Sequence, residues 1–146
     1  MPAVPGRTLP EMYEAARRGE LAGMYIFGED VVQTDPDSGR TREALERLEF
    51  LVVQELFLSE TARLAHVVLP GASALEKDGT FTNAERRIQR VRAALPPIPG
   101  ARADWEILCQ LMAATGYPQP FRHPSEVMEE IARVSPVYAG VSHVRL

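Results

Sequence analysis

At 146 residues, with 45% hydrophobic and 25% charged side chains, the chain has the length and composition of one globular domain, which excludes a disordered tail or a fibrous repeat. A net charge of −4 argues against a nucleic-acid surface, because neutralising phosphates takes a basic excess, so no nucleic-acid partner is expected. Apolar runs such as residues 50–53 and 67–69 fall far short of the roughly 20 residues a helix needs to cross a bilayer. The chain therefore reads as a soluble, cytoplasmic protein with no membrane span and no secretory signal.

In chain order, Thr8-Leu9-Pro10-Glu11 has capping-box spacing with proline in the first turn, predicting a helix that Gly19 stops. LAGMYIF, residues 21–27, is an apolar run ending at Gly28-Glu29-Asp30, which predicts a strand and then a turn. From Asp35, capping candidates lead into apolar residues at Ala44, Leu45 and Leu48, a helical spacing. FLVVQ, residues 50–54, predicts a second buried strand, SETARLA a short helix capped by Ser59, and HVVLP, residues 66–70, a third strand. After a polar loop, RRIQRVRAAL alternates Ile88 and Val91 loosely with arginines, as an edge strand would. Pro96-Pro97-Ile98-Pro99-Gly100 breaks the pattern, and two further helices are predicted, one from Asp104 to a stop at Gly116 and one over SEVMEEIARV.

Apolar strands alternating with helices indicate a parallel sheet covered on each side. The expected fold class is α/β: a three-layer Rossmann-like parallel sheet with flanking helices, plus a helical C-terminal part. We expect a single domain over 1–146, with a βαβαβ part at 1–95 that holds a polar loop at 71–84, and a helical extension at 96–146.

In such sheets ligands bind beyond the carboxyl ends of the strands. Those ends carry Gly28-Glu29-Asp30, Gln54-Glu55 and Pro70-Gly71-Ala72-Ser73. Gly28 permits close backbone approach, Asp30 can accept two hydrogen bonds from a ribose diol or a guanine edge, and Gln54 can donate and accept together. This resembles a nucleotide site, although no GxGxxG or GxxxxGK[ST] is present. The competing reading makes Gly28 a strand-ending glycine and Asp30 a cap. His66, His123 and His143 lie far apart in sequence, so packing or solvated roles come before metal ligation. Cys109, the single cysteine, excludes an internal disulfide and any four-thiolate metal or iron–sulfur site made by this chain alone. It lies on the apolar face of a predicted helix, which makes a buried inert thiol the default. Ser73 lacks the strand-to-helix elbow of a nucleophilic serine. All basic residues but Lys77 are arginine, which we ascribe to composition before function.

At MYIFGEDVVQTDPD, FLVVQELFLSETARLAHVVLP and EKDGTFTNAERRIQRV, and on through DWEILCQLMAATGYP and PSEVMEEIARVSPVYAGVSHVRL, the sequence resembles the formate dehydrogenase alpha subunit of the molybdopterin oxidoreductase family. That resemblance implies an enzyme oxidising formate to carbon dioxide at molybdenum or tungsten, held by molybdopterin guanine dinucleotide. Position by position it assigns cofactor binding to Gly28, Glu29, Asp30, Thr34, Gln54, Glu55, Lys77, Gly79 and Asn83. Glu76, Gly79, Asn83, Arg86, Arg87 and Gln89 match the family pattern E-x-x-G-x-x-x-N-x-E-R-R-x-Q. The chain departs from the family at Glu55 and His66, where aspartate is frequent. The family's metal-ligating cysteine or selenocysteine, the adjacent histidine and the amino-terminal cysteine cluster have no counterpart here. The resemblance thus implies an internal fragment with no catalytic residue and no metal ligand of its own, inactive by itself and not expected to retain the cofactor tightly. Its partners would be the remaining domains or subunits of the enzyme. The alternatives are an orphaned interaction module that docks on a partner or self-associates, and a small free-standing nucleotide-binding enzyme.

Overall fold

The computed structural model describes residues 5–146. Helix α1, Leu9–Arg17, begins where Thr8 N and Oγ1 donate to the Glu11 carboxylate at 2.7 and 2.8 Å. It ends in a Schellman motif: Gly19 takes φ +72°, its amide donates to Ala16 O at 3.0 Å, and Glu20 N donates to Ala15 O at 2.8 Å. Strand β1, Gly23–Phe27, follows, then a one-turn helix α2, Val31–Thr34, just beyond the expected turn at Gly28-Glu29-Asp30. Helix α3, Ser38–Glu46, is capped by Asp37, one of the candidates in the segment from Asp35, which accepts from Arg40 N at 3.1 Å. Strand β2, Phe50–Glu55, a 3-10 turn at Ala62–Leu64 and strand β3, Val67–Pro70, complete the series. Ser59 accepts from Ala62 N at 3.2 Å, but the segment is too short to reach α-helical form.

The three strands form a parallel sheet in the order β1-β2-β3, Gly23 opposite Phe50 and Val52 opposite Val67. Strand pleating sends alternate side chains to opposite faces. Ile26, Leu51 and Val53 point to one face and are buried in a core with Tyr13, Ala16, Ala44, Leu45, Val31 and Val32. On the other face Tyr25, Phe27, Phe50 and Val67 are 40, 51, 53 and 39% exposed. The expected cover on both sides is therefore met on one side: the described helices α1 and α3 pack on the Leu51 face alone.

By contacts the chain divides into two compact units, Met1–Pro70 and Gly71–Leu146, the boundary falling at the end of β3, ahead of the proline-rich break at 96–100. The second unit corrects the reading of 71–84 as a polar loop throughout. Gly79–Thr82 is a strand, β4, and it pairs antiparallel with β5, Ile88–Val91, in its own two-stranded sheet. Thr80, Phe81 and Thr82 are β-formers, and their polarity hid the strand. The unit also holds α4, Asp104–Ala114, and α5, Pro124–Val134, with Met128 of α5 buried and Thr80 Oγ1 3.7 Å from its sulfur. Gly116 and Tyr117 close α4 by donating to Ala113 O and Met112 O at 3.1 and 2.8 Å.

Candidate functional site

Pairing β1 with β2 in parallel brings their carboxyl ends side by side, so that Gly28-Glu29-Asp30 and Gln54-Glu55 converge. Gly28 takes φ +65°, a conformation glycine adopts without a side-chain clash, and its amide donates to Gln54 O at 2.9 Å. The space where a Cβ would stand at Gly28 has no atom within 4 Å, which leaves the backbone open to approach. The Gln54 side chain is buried, and its Oε1 accepts from the Tyr25 hydroxyl. Glu29 and Thr34 are exposed, with Thr34 Oγ1 donating to Glu29 Oε1 at 3.3 Å, and Glu55 is half-buried with Leu56 N donating to its carboxylate at 2.6 Å.

Asp30 is held from within. Thr61 N and Oγ1 donate to its Oδ1 at 2.9 and 2.6 Å, and Glu60 N donates to Oδ2 at 3.3 Å. Burial opposes the charge, but the hydrogen bonds from Thr61 and Glu60, with Arg42 near by, outweigh it and hold the carboxyl below the usual aspartate range. Thr61, fully buried, also accepts from Val32 N at 3.0 Å, so one hydroxyl ties α2, the Asp30 loop and the start of the 3-10 turn together. Sequence reasoning passed over Thr61. The available signal was a threonine inside SETARLA with no other stated role. It also passed over Leu56-Phe57-Leu58, three apolar residues exposed just beyond β2, Phe57 at 78%.

Lys77, Gly79 and Asn83 lie on the second unit. Lys77 Nζ pairs with the Asp104 carboxylate beside a cleft of about 190 Å³ lined by Thr80, Trp105, Val127 and Met128. Gly79 sits opposite Val91 at the start of β4. Asn83 shapes the hairpin turn: its Oδ1 accepts from Glu85 N and Arg87 N at 3.0 and 2.9 Å, and Arg86 is driven to φ +63°. Glu76 is likewise spent internally, accepting from Ser73 N at 2.8 Å and Ile98 N at 3.2 Å.

The remaining candidates have structural explanations. His66 Nδ1 accepts from Leu51 N at 2.9 Å and its ring stacks on Phe50. His123 caps α5, accepting from Ser125 N at 3.2 Å. Cys109 is half-buried and burial pushes its thiol up, away from reactivity. Among the described residues no cluster of three or more His, Cys, Asp or Glu is placed to hold a metal, and no helix is long and apolar enough to cross a membrane.

The strand-end residues fit a purine nucleoside by their chemistry. They offer carboxylates for donor edges, a glycine that admits a ligand to the backbone and exposed hydroxyl and carboxylate groups, and they offer no thiolate. In a parallel α/β sheet these strand-end loops are the positions where ligands bind. Residues 1–114 match the family model described as molybdopterin oxidoreductase, and the chain belongs to that family. It is 47% identical over 141 residues, 97% of its length, to a Staphylococcus aureus (strain bovine RF122 / ET3-1) protein named "Putative formate dehydrogenase". It is 44% identical over all 146 residues to "Probable oxidoreductase YjgC" of Bacillus subtilis (strain 168). The chain spans 14% and 15% of the lengths of these two relatives. In fold it is similar to acetylene hydratase from Pelobacter acetylenicus, with a TM-score of 0.73 at 18% identity, covering 92% of this chain and 19% of that one.

Proposed function

We propose that the chain binds molybdopterin guanine dinucleotide through the strand-end loops of its first unit, as part of a formate dehydrogenase-like oxidoreductase to which it supplies no catalytic residue. The observation that carries this reading is the convergence of Gly28, Glu29, Asp30, Gln54 and Glu55 at the ends of adjacent parallel strands in a member of this family. When bound, the pterin cofactor with its molybdenum or tungsten supplies the redox chemistry, formate to carbon dioxide in the complete enzyme. This chain's own residues bind and orient. Glu29, exposed, is the external carboxylate for the guanine donors or the ribose hydroxyls. Asp30, clamped by Thr61, fixes the loop and keeps lone-pair capacity for one further donor. Thr34 and Glu55 flank the pair. For Lys77, Gly79 and Asn83 the proposal is narrower. Gly79 and Asn83 shape the hairpin, and direct contact by Lys77 requires it to leave Asp104. The finer fold reading, a three-layer Rossmann-like sandwich in the cytoplasm, belongs to the same proposal.

The test is an amide chemical-shift titration of the 146-residue chain with GDP, which carries the guanine end of the dinucleotide. Saturable shifts clustered at Gly28, Glu29, Thr34 and Gln54 are expected, and Glu29→Gln should weaken binding by about tenfold, the loss of one charge-assisted hydrogen bond. A folded spectrum with no saturable shift at these residues overturns the proposal. The relatives' names speak for an oxidoreductase and lend nothing to the alternative of an orphaned interaction module.

A further inference from the structure

The carboxyl-terminal stretch of the second unit, residues 136–146, is held to the rest of that unit at one point. It opens with a 3-10 turn, Pro136–Tyr138, and closes with a turn in which Arg145 N donates to Ser142 O at 3.1 Å. Val137 and Val144 are largely exposed, and His143 is the one buried residue of the stretch. Beyond the turn bonds that run on from α5, a single hydrogen bond among the described residues ties it down: Arg90 Nη1, on β5, donates to His143 O at 3.3 Å.

The anchoring ring is poorly provided for. Both of its nitrogens are buried without a hydrogen-bond partner, and so is Nε of Arg90. Buried polar atoms in native folds are nearly always paired, so three orphans at one spot call for an explanation. Charged and titratable groups face the ring from each element around it: Arg90 from β5, His123 at the start of α5, Glu129 within α5, and Asp78 just ahead of β4. His123 meets it edge-on, and Asp78 Oδ1 accepts from Ala93 N at 3.3 Å. On the stretch itself the Arg145 guanidinium is turned to Gly140 O. Neither carboxylate reaches a His143 nitrogen, so a proton added there brings a second cation beside Arg90 and an N–H with nothing to receive it. Burial and then Arg90 and His123 disfavour that charge, outweighing Asp78 and Glu129.

We propose that His143 is a proton-operated latch: the neutral ring seats residues 136–146 on the second unit, and protonation releases that stretch while the β4–β5 hairpin and α5 keep their fold. Once released, the ring takes up a proton as an ordinary histidine does, near pH 6.5, so acid favours the open form. One proton is bound on opening. The ratio of open to closed therefore rises about tenfold for each pH unit below 6.5, down to the lower pKa of the seated ring, and is constant above 6.5. Opening of this kind breaks only the few contacts the stretch makes, so it precedes global unfolding. The latch lies wholly in the second unit and is independent of the cofactor proposal.

The experiment follows amide hydrogen exchange of the 146-residue chain by NMR between pH 8 and 5, each rate divided by its intrinsic value at that pH, and titrates the His143 ring alongside. The amides of Val141 and Arg145, bonded to Tyr138 O and Ser142 O, report the stretch, and the paired amides of β4 and β5 report the body of the unit. Protection of Val141 and Arg145 is expected to lie at least tenfold below that of the hairpin at every pH. It should be flat above pH 6.5 and fall about tenfold per unit below it, with the slope abolished in His143→Phe. Protection that does not change with pH shows an opening that leaves the ring seated and overturns the proposal. Protection equal to that of the hairpin shows release only on global unfolding and overturns it equally. Should His143→Phe fail to fold, the ring titration of the unaltered chain stands in for it: a midpoint below 6.5 is expected, and one at or above 6.5 removes the driving force and the latch with it.

Discussion

Thr61 is the residue whose removal says most about the site. Its hydroxyl donates to Asp30 and accepts from Val32 N, both inside the fold, so Thr61→Val takes one of the two donors from Asp30 Oδ1, leaving the residue-61 amide, and leaves the buried Val32 amide without its partner. We expect a loss of about 2 kcal/mol in urea unfolding, in the range found when a buried partner of a charged group is removed, and Thr61→Ser should recover most of it. Asp30 sets the accompanying pH dependence. Its carboxyl is held below the ordinary 3.8, so its contribution is fully present above that pH and is lost as acid carries the pH down through the lower folded value. In Thr61→Val the folded value should rise toward 3.8, so the acid-dependent loss should be smaller and complete at a higher pH than in the unaltered chain.

His143 works in the opposite chemical sense. Both ring nitrogens are buried without a hydrogen-bond partner, and its ring meets that of His123 edge-on with centroids 5.8 Å apart. Burial first, then the neighbouring Arg90 and His123, lower its basicity, with Asp78 and Glu129 opposing. The unfolded chain therefore binds a proton near pH 6.5 that the folded chain refuses, and stability falls as the pH drops through that value. His143→Phe should flatten the slope of stability against pH between 7 and the lower folded pKa, as measured by urea midpoints at several pH values.

At the scale of elements, legibility followed the strength of the local signal. The Thr8–Glu11 spacing and Gly19 marked both ends of α1, and the apolar runs marked all three parallel strands. What misled was polarity. Gly79-Thr80-Phe81-Thr82 reads as loop by its polar content, yet pairs residue for residue with Ile88–Val91 because a β-branched side chain suits a pleated strand whether or not it is apolar. The turn that joins them was likewise unreadable, since a left-handed position usually advertises itself with glycine or asparagine and here it is filled by Arg86. Unless the arginine head group has a task that offsets this strain, Arg86→Gly should stabilise the second unit by about 1 kcal/mol, the usual cost of a left-handed non-glycine residue. A thermal melt of the two variants side by side reads the difference.

At the scale of the whole chain, sequence pattern gave the α/β class and the location of the strand-end loops, because both follow from strand order and connection length. It did not give the division at Pro70/Gly71. Nor did it show how deeply the site is built into the core. Asp30 reads as a ligand group by type, and only the positions of Thr61 and Glu60 reveal that most of its capacity is used within the fold. The core that supports these loops is small and one-sided, so it should be sensitive to truncation. Leu51, fully buried at the centre of β2, should cost about 3 kcal/mol on replacement by alanine, enough to unfold a marginal unit, as read by loss of dispersed amide resonances.

The hydrogen bond from Gly28 N to Gln54 O bears on what the site can distinguish. In glycine-rich nucleotide loops, backbone amides left unpaired by the turn commonly meet the phosphate oxygens. Here the amide of the loop glycine is already engaged by the neighbouring strand, so under the proposed function the loop would grip its ligand by base and sugar and be largely blind to the length of the phosphate chain. Guanosine, GMP and GDP should therefore bind the first unit within about threefold of one another, a spread of about 0.7 kcal/mol, whereas adenosine should bind at least tenfold more weakly than guanosine.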